Sequence, residues 1–333
     1  MRRIRNVLLG VVALVLLLAF GAWATMIWMP GSSWEEEMPP MEGDRQMLAD
    51  QLEADVRILA ESIGPRHVGR PEGLEASVEF LEAELRDVGY EPRHQTFEVQ
   101  GVDCHNVEVE IEGATHPEKI VVIGAHYDSF RDTPAANDNG SGVAATLALA
   151  RRFADANPER TLRFVFFVNE EPPWFQTDAM GSLRYARRAD ERGEEIAAMV
   201  SLETIGYFDD APSSQEYPVD MLRWVYPDRG NFIGFVGNVS SRGILRQAID
   251  AFRDEAEVPS HGASLPGFTP GVGWSDHWAF WQYDYPAFMV TDTAMFRYPH
   301  YHTVDDTPDR LDYPRMALVV EGMVPVVEGL VKG

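Results

Sequence analysis

The sequence predicts an α/β fold: a three-layer α/β/α sandwich with a mixed, mostly parallel central sheet, preceded by one N-terminal transmembrane helix. Three observations predict it. Predominantly apolar runs recur at 120–123, 162–168, 198–202, 232–236 and 287–290, the pattern of strands buried on both faces. Segments of helical period lie between them, at 142–153, 182–189, 242–252 and 276–281, with a last one after Pro314; strands alternating with helices build layered α/β domains. An uncharged run near the N-terminus is long enough to cross a bilayer.

That run spans residues 7–29, twenty-three positions interrupted only by Thr25. Arg2, Arg3 and Arg5 precede it, Trp23 and Trp28 lie near its distal end, and Glu35, Glu36 and Glu37 follow. The positive-inside rule then leaves residues 1–6 in the cytoplasm and places the body outside. The division expected is a basic segment at 1–6, a signal-anchor at 7–29, a Pro- and Gly-containing linker at 30–44 and one catalytic domain at 45–333. The alternative is a cleaved signal peptide, with Ala22-Trp23-Ala24 as a small-x-small site; it too puts the body outside, secreted or periplasmic. No lipobox cysteine is present.

Within the body, Met47, Leu48, Leu52, Val56, Leu59 and Ile63 recur at helical spacing until Gly64-Pro65. A loop over 64–73 leads to a second amphipathic helix through Leu74, Val78, Leu81, Leu85 and Val88, stopped by Gly89. Phe97 and Val99, then Val107, Val109 and Ile111, alternate with polar residues as half-buried strands do. These early hairpin strands make the sheet mixed.

Composition removes several function classes. The net charge is −25, which excludes nucleic acid as a partner and anionic lipid as an electrostatic docking surface for the body. The membrane contact expected is through the N-terminal helix only. Lysine occurs only at Lys119 and Lys332. Cys104 is the single cysteine, so no intrachain disulfide and no cysteine-based zinc site can form. It lies in a strand-like stretch without a catalytic pattern around it. Any metal must be held by histidine and carboxylate.

Such residues are spread over most of the chain, each where a strand is expected to end. His126 and Asp128 close the first buried strand, and an Asp two residues on can fix the tautomer of a ligating imidazole. Asp138 lies in the turn Asn137-Asp138-Asn139-Gly140 before a helix, where an N-cap is the competing reading. Glu170 and Glu171 follow the 162–168 strand; adjacent carboxylates there are costly without a cation, and one can ligate while the other takes a proton. Glu203 follows the next strand. His302 comes late, with His300 as its competitor. Acids and imidazoles converging on one sheet edge point to two metal ions sharing a carboxylate.

The pattern resembles the extracytoplasmic di-zinc exopeptidases: bacterial leucine-type aminopeptidases, aminopeptidase Y, glutamate carboxypeptidase and, more distantly, glutaminyl cyclases. The likeness covers residues 45–333. It rests on Ala125-His126-Tyr127-Asp128-Ser129, Asn137-Asp138-Asn139-Gly140-Ser141-Gly142, Asn169-Glu170-Glu171, Leu202-Glu203-Thr204-Ile205-Gly206-Tyr207, Ser275-Asp276-His277 and Tyr301-His302-Thr303. The resemblance implies a zinc-exopeptidase fold, two Zn2+ ions per chain and a peptide substrate. It implies that Asp138 bridges the ions, that His126 and Glu203 complete one site, and that Glu171 and His302 complete the other. It further implies Glu170 as general base, Asp128 as the group orienting His126, and Tyr301 at the oxyanion. Bacterial members commonly carry Asp where this chain has Glu203, a longer arm that bears on metal spacing. Ser275-Asp276-His277 also reads as a serine triad, but a triad is a spatial arrangement and not three consecutive residues.

The activity implied is aminopeptidase hydrolysis, in which two cations about 3.5–4 Å apart acidify a water and Glu170 moves its proton to the leaving amine. Glutaminyl cyclase, carboxypeptidase and a non-catalytic membrane-anchored binding protein stand as alternatives. A carboxypeptidase needs a cationic clamp, for which Arg297, Arg184 and Arg242 are candidates.

Overall fold

The computed structural model describes residues 2–333, with the side chains of Arg2 and Arg3 outside the described set. Met1 and the charge of those two arginines, on which the expected cytoplasmic segment partly rests, therefore lie outside the described residues. The helices are α1 (Arg2–Met26), α2 (Asp44–Arg57), α3 (Pro71–Asp87), α4 (Gly142–Phe153), α5 (Gly181–Glu191), α6 (Arg242–Glu255), α7 (His277–Trp281) and α8 (Tyr313–Val331). The strands are β1 (Arg93–Val99), β2 (Val102–Ile111), β3 (His116–His126), β4 (Arg160–Phe167), β5 (Glu195–Leu202), β6 (Ile233–Asn238), β7 (Ser260–Leu265) and β8 (Ala287–Thr291).

The strands form one eight-stranded sheet in the order β1-β2-β4-β3-β5-β8-β6-β7. β4, β3, β5 and β8 run parallel at its centre. β1 and β2 join antiparallel at one edge; β6 turns antiparallel to β8 and carries β7 parallel beside it. The mixed, mostly parallel sheet is the one expected.

Helices cover both faces, for a reason visible in β3. Val121, Ile123 and Ala125 pack into one apolar cluster with α2, α3, α4, α6 and α8. Ile120 and Val122 pack into another with α5 and α7. Alternate side chains point to opposite faces of a strand, so an unbroken apolar run needs a helical layer on each side.

Several boundaries differ from expectation. α3 starts at Pro71, inside the expected loop, because proline is favoured at the first helical position, where its missing N–H costs nothing. β7, with the sequence Ser-His-Gly-Ala-Ser-Leu, carries no apolar run and was not expected; it exists through its parallel pairing with β6. The N-terminal helix ends at Met26 rather than Met29, and its apolar span is Ile4–Met26. Residues 27–43 contain no helix or strand.

Candidate metal centre

The parallel strands deliver their C-terminal ends to one edge of the sheet. His126 is the last residue of β3, Glu170 and Glu171 follow β4, Glu203 follows β5, and His302 lies in the loop after β8. α4 begins at the same edge, and its backbone comes close: a Cβ on Gly142 would stand 2.2 Å from the Leu202 carbonyl oxygen. Only glycine permits that approach, and it brings the Asn137–Asn139 turn against the end of β5.

Two sets of donor atoms result, one of His126, Asp138 and Glu203 and one of Asp138, Glu171 and His302. His126 Nε2 lies 3.4 Å from Asp138 Oδ1 and 3.4 Å from Glu203 Oε2. His302 Nε2 lies 3.0 Å from Asp138 Oδ2 and 3.1 Å from Glu171 Oε2. Asp138 thus presents one oxygen to each set. It does not cap a helix; α4 starts at Gly142, and the backbone N–H groups of Asn137 and Asp138 are taken up by the Asp306 carboxylate at 2.8 and 3.1 Å. His300 belongs to neither set.

The donor chemistry fits two divalent cations. His126 Nε2, Asp138 Oδ2, Glu171 Oε1 and His302 Nε2 are buried without a hydrogen-bond partner. Buried polar atoms normally have one, and all four belong to residues of the two donor sets. The electrostatics agree. Burial works against the His126 imidazolium, but the Glu203 and Glu170 charges outweigh it and raise its pKa well above the ordinary value. Burial alone would raise Asp138; the two imidazoles reverse this and hold its carboxyl well below the usual carboxylate range. Burial and the Asp138 charge push Glu171 up to about 8. Burial opposes the charge on His302, yet Asp138 and Glu171 lift it to about 10. So many buried acids with two imidazoles have too little positive charge, and a divalent cation at each donor set would supply it.

Glu170 stands beside the His126 set, its Oε2 3.9 Å from His126 Nε2. Burial raises its pKa well above the ordinary carboxylate range, and the Glu203 and Glu171 charges add to this against the pull of His126. Asp128 makes three contacts. Its Oδ1 lies 3.4 Å from His126 Nδ1, and its two oxygens accept the backbone N–H groups of Glu170 and Glu171, each at 3.1 Å. Tyr301 stacks on His302, ring centroids 3.9 Å apart, while Phe130 covers the other face of the imidazole at 4.0 Å.

Some neighbours had no role assigned from the sequence, although Asn139 and Ser275 lie in the motifs that carry the resemblance. Phe130 is one. Asn139 is another: its amide donates to the Leu202 carbonyl and its oxygen accepts from Gly142 and Thr204 N–H, which ties the turn to β5. Ser275 Oγ donates to Glu203 Oε2 at 2.6 Å, and the His277 ring bonds to the Val272 carbonyl. The three consecutive residues Ser275, Asp276 and His277 therefore form no triad. Arg297, a candidate carboxylate clamp, is buried, with its guanidinium on Gln215, Tyr207 and Phe232; Arg184 lies over the Phe97 ring.

An apolar cavity of about 110 Å³ adjoins the cluster, walled by Leu222, Tyr226, Phe232, Val272, Met289 and Phe296, with Glu203 and Tyr301 also in its lining. Among the described residues, no lysine or arginine lines it.

The profile of the family described as "Peptidase family M28" matches residues 106–327, a stretch that holds both donor sets. An uncharacterized protein of Escherichia coli, YfbL, is 36% identical over 302 residues, covering 88% of this chain and 91% of its own length. An aminopeptidase of Pseudomonas aeruginosa is 35% identical over 43% of this chain, which spans 24% of that protein. The chain also spans less than two thirds of several other curated relatives. Among solved structures, the zinc aminopeptidase BSAP of Bacillus subtilis has a TM-score of 0.68 at 14% identity, covering 90% of this chain and 97% of that one. A glutaminyl cyclase of Fimbriiglobus ruber has a TM-score of 0.60 at 21% identity, with 90% and 97% covered; likeness at these identities is a likeness of fold. With the match running through every residue of the cluster, the chain belongs to peptidase family M28.

Proposed function

We propose that this metallopeptidase is a zinc-dependent aminopeptidase, removing residues from the N-termini of peptides outside the cytoplasm while α1 holds it to a membrane. The observation that carries the reading is the pair of donor sets sharing Asp138, with Glu170 and an apolar cavity at their side. His126, Glu203 and Asp138 would hold one zinc ion; Glu171, His302 and Asp138 would hold the other. Zinc, when bound, supplies Lewis acidity toward the scissile carbonyl and toward a water molecule.

The chain's own residues supply the rest. Glu170, made more basic by burial and by neighbouring charge, takes the proton of the attacking water and returns it to the leaving amine. Asp128 holds the Glu170–Glu171 backbone and turns the His126 ring. The Tyr301 hydroxyl donates to the developing oxyanion. The cavity takes the side chain of the N-terminal residue, so apolar residues are preferred. A cavity lined by Glu203 and Glu216 and by no cationic side chain favours a substrate amine over a substrate carboxylate, and hence aminopeptidase over carboxypeptidase.

Full-length protein loaded with zinc and offered a panel of aminoacyl-p-nitroanilides tests this. Chelator-sensitive hydrolysis favouring large apolar residues is the expected result. Retained zinc with no anilide hydrolysis, but cyclisation of N-terminal glutamine peptides, would overturn it in favour of a glutaminyl cyclase.

A further inference from the structure

The apolar cavity and the N-terminal helix share walls. Met26 and Ile27, at the end of α1, pack in one cluster with Leu222, Tyr226, Val236, Ala263, Leu265 and Val272. All six of these partners also line the cavity. Nor is the helix on a loose tether. The Arg246 guanidinium on α6 lies over the Trp28 ring and donates to the Ala24 and Thr25 carbonyls. Met29 is buried, the Pro30 carbonyl accepts from Arg253, and Ser33 Oγ accepts from the Ser260 N–H on β7. The first part of the expected linker is thus docked on the body.

Two segments flank this junction. One is the short helix Asp220–Trp224 with the residue after it; the other is the loop 266–274, which has no charged residue. Together they expose Met221, Trp224, Val225, Phe268 and Trp274, with Trp224 at 84% and Phe268 at 90%. Large apolar side chains held that far out of an otherwise acidic body mark a contact surface. The occupant is indicated by continuity: the patch adjoins the point where a strongly apolar helix leaves the body, and that helix is long enough to cross a bilayer. With a net charge of −25, the body gains nothing from anionic headgroups, so apolar insertion is the available mode of attachment.

We propose that the face carrying Trp224 and Phe268 seats in the headgroup–acyl boundary of the bilayer that α1 enters. The cavity then opens at the lipid surface and takes peptides whose apolar N-terminal segment is held in that layer. The proposal rests on reading α1 as a membrane span, and it narrows the substrate class of the aminopeptidase reading.

The test uses the full chain in phosphatidylcholine vesicles, with a nitroxide label at Trp224→Cys, at Phe268→Cys, or at Glu75→Cys on α3 by the opposite sheet edge; Cys104 is buried and stays in place. The expected result is that molecular oxygen reaches the labels at 224 and 268 several-fold better than a water-soluble nickel chelate does, with the reverse at 75 and no change in high salt. Aqueous behaviour at 224 and 268, in protein that floats with the vesicles, would overturn the proposal and leave the anchor standing. Protein that does not float overturns the anchor and the proposal with it. Neither readout needs turnover, so loss of the aminopeptidase reading would be recognised separately. In the double variant Trp224→Ser, Phe268→Ser, neither of which lines the cavity, hydrolysis of a vesicle-held peptide should fall several-fold while that of a soluble anilide is kept; an equal fall in both would also count against the proposal.

Discussion

Ser275 Oγ donates a 2.6 Å hydrogen bond to Glu203 Oε2, the same oxygen that faces His126 Nε2 at 3.4 Å. Ser275 also meets Ser201 Oγ at 2.8 Å. The longer glutamate arm is therefore held from behind by a loop remote in sequence. Ser275→Ala should weaken metal retention at the His126 set by about 10–100-fold, as loss of a group supporting a ligand does. Metal content after dialysis against graded chelator checks this; unchanged retention would mean that Glu203 is positioned without Ser275.

Glu170→Gln keeps the shape and loses the base. Zinc content should be unchanged, and turnover should fall by about 100–10,000-fold, the range general base catalysis contributes. Elemental analysis alongside steady-state kinetics measures both. A variant that turns over normally would sink the assignment of Glu170.

Asp128 accepts two backbone N–H groups and faces His126 Nδ1. Asn at this position has one accepting oxygen and sets an NH2 against an N–H donor. Asp128→Asn should cost about 1–3 kcal/mol of stability from the unsatisfied donor and lower kcat as the Glu170–Glu171 turn shifts. Denaturant unfolding and kinetics report the two effects independently. Wild-type stability would show that the two N–H bonds contribute little.

His261 on β7 is walled by the Tyr226 and Phe232 rings, and burial, with the Arg253 and Arg297 charges, lowers its pKa from 6.5 to about 4. The unfolded chain binds a proton here before the folded chain does. The contribution is present in full above pH 6.5 and is lost as pH falls toward 4, on the order of 3 kcal/mol in all. His261→Phe should flatten the stability profile in that window. Equal acid slopes in both proteins would show that His261 protonates in the folded state as easily as in the unfolded one.

The layered fold was legible because the central stretches of β3, β4, β5 and β8 are buried on both faces and are mostly apolar there. β7 was not: Ser260, Gly262 and Ser264 carry no apolar pattern, and the strand is made by pairing with β6. The ends of α1 and α3 shifted for local reasons, since proline at 71 opens a helix and the chain from Ile27 onward packs on the body instead of continuing α1.

For the candidate centre, the sequence by itself determined the chemistry: with one cysteine and a series of His, Asp and Glu at strand ends, only imidazole and carboxylate donors could meet there. Tertiary structure decided which of them meet. It chose His302 over His300, turned Asp138 between two imidazoles instead of onto a helix N-terminus, took Arg297 out of contention by burying it on backbone carbonyls, and brought Ser275 and Asn139 behind the donors. It also set the last turn of α1 against the wall of the cavity. The physical reason is the same in each case. Donor type is a property of a side chain, whereas convergence depends on sheet order and on loops that contact one another across more than sixty positions of chain.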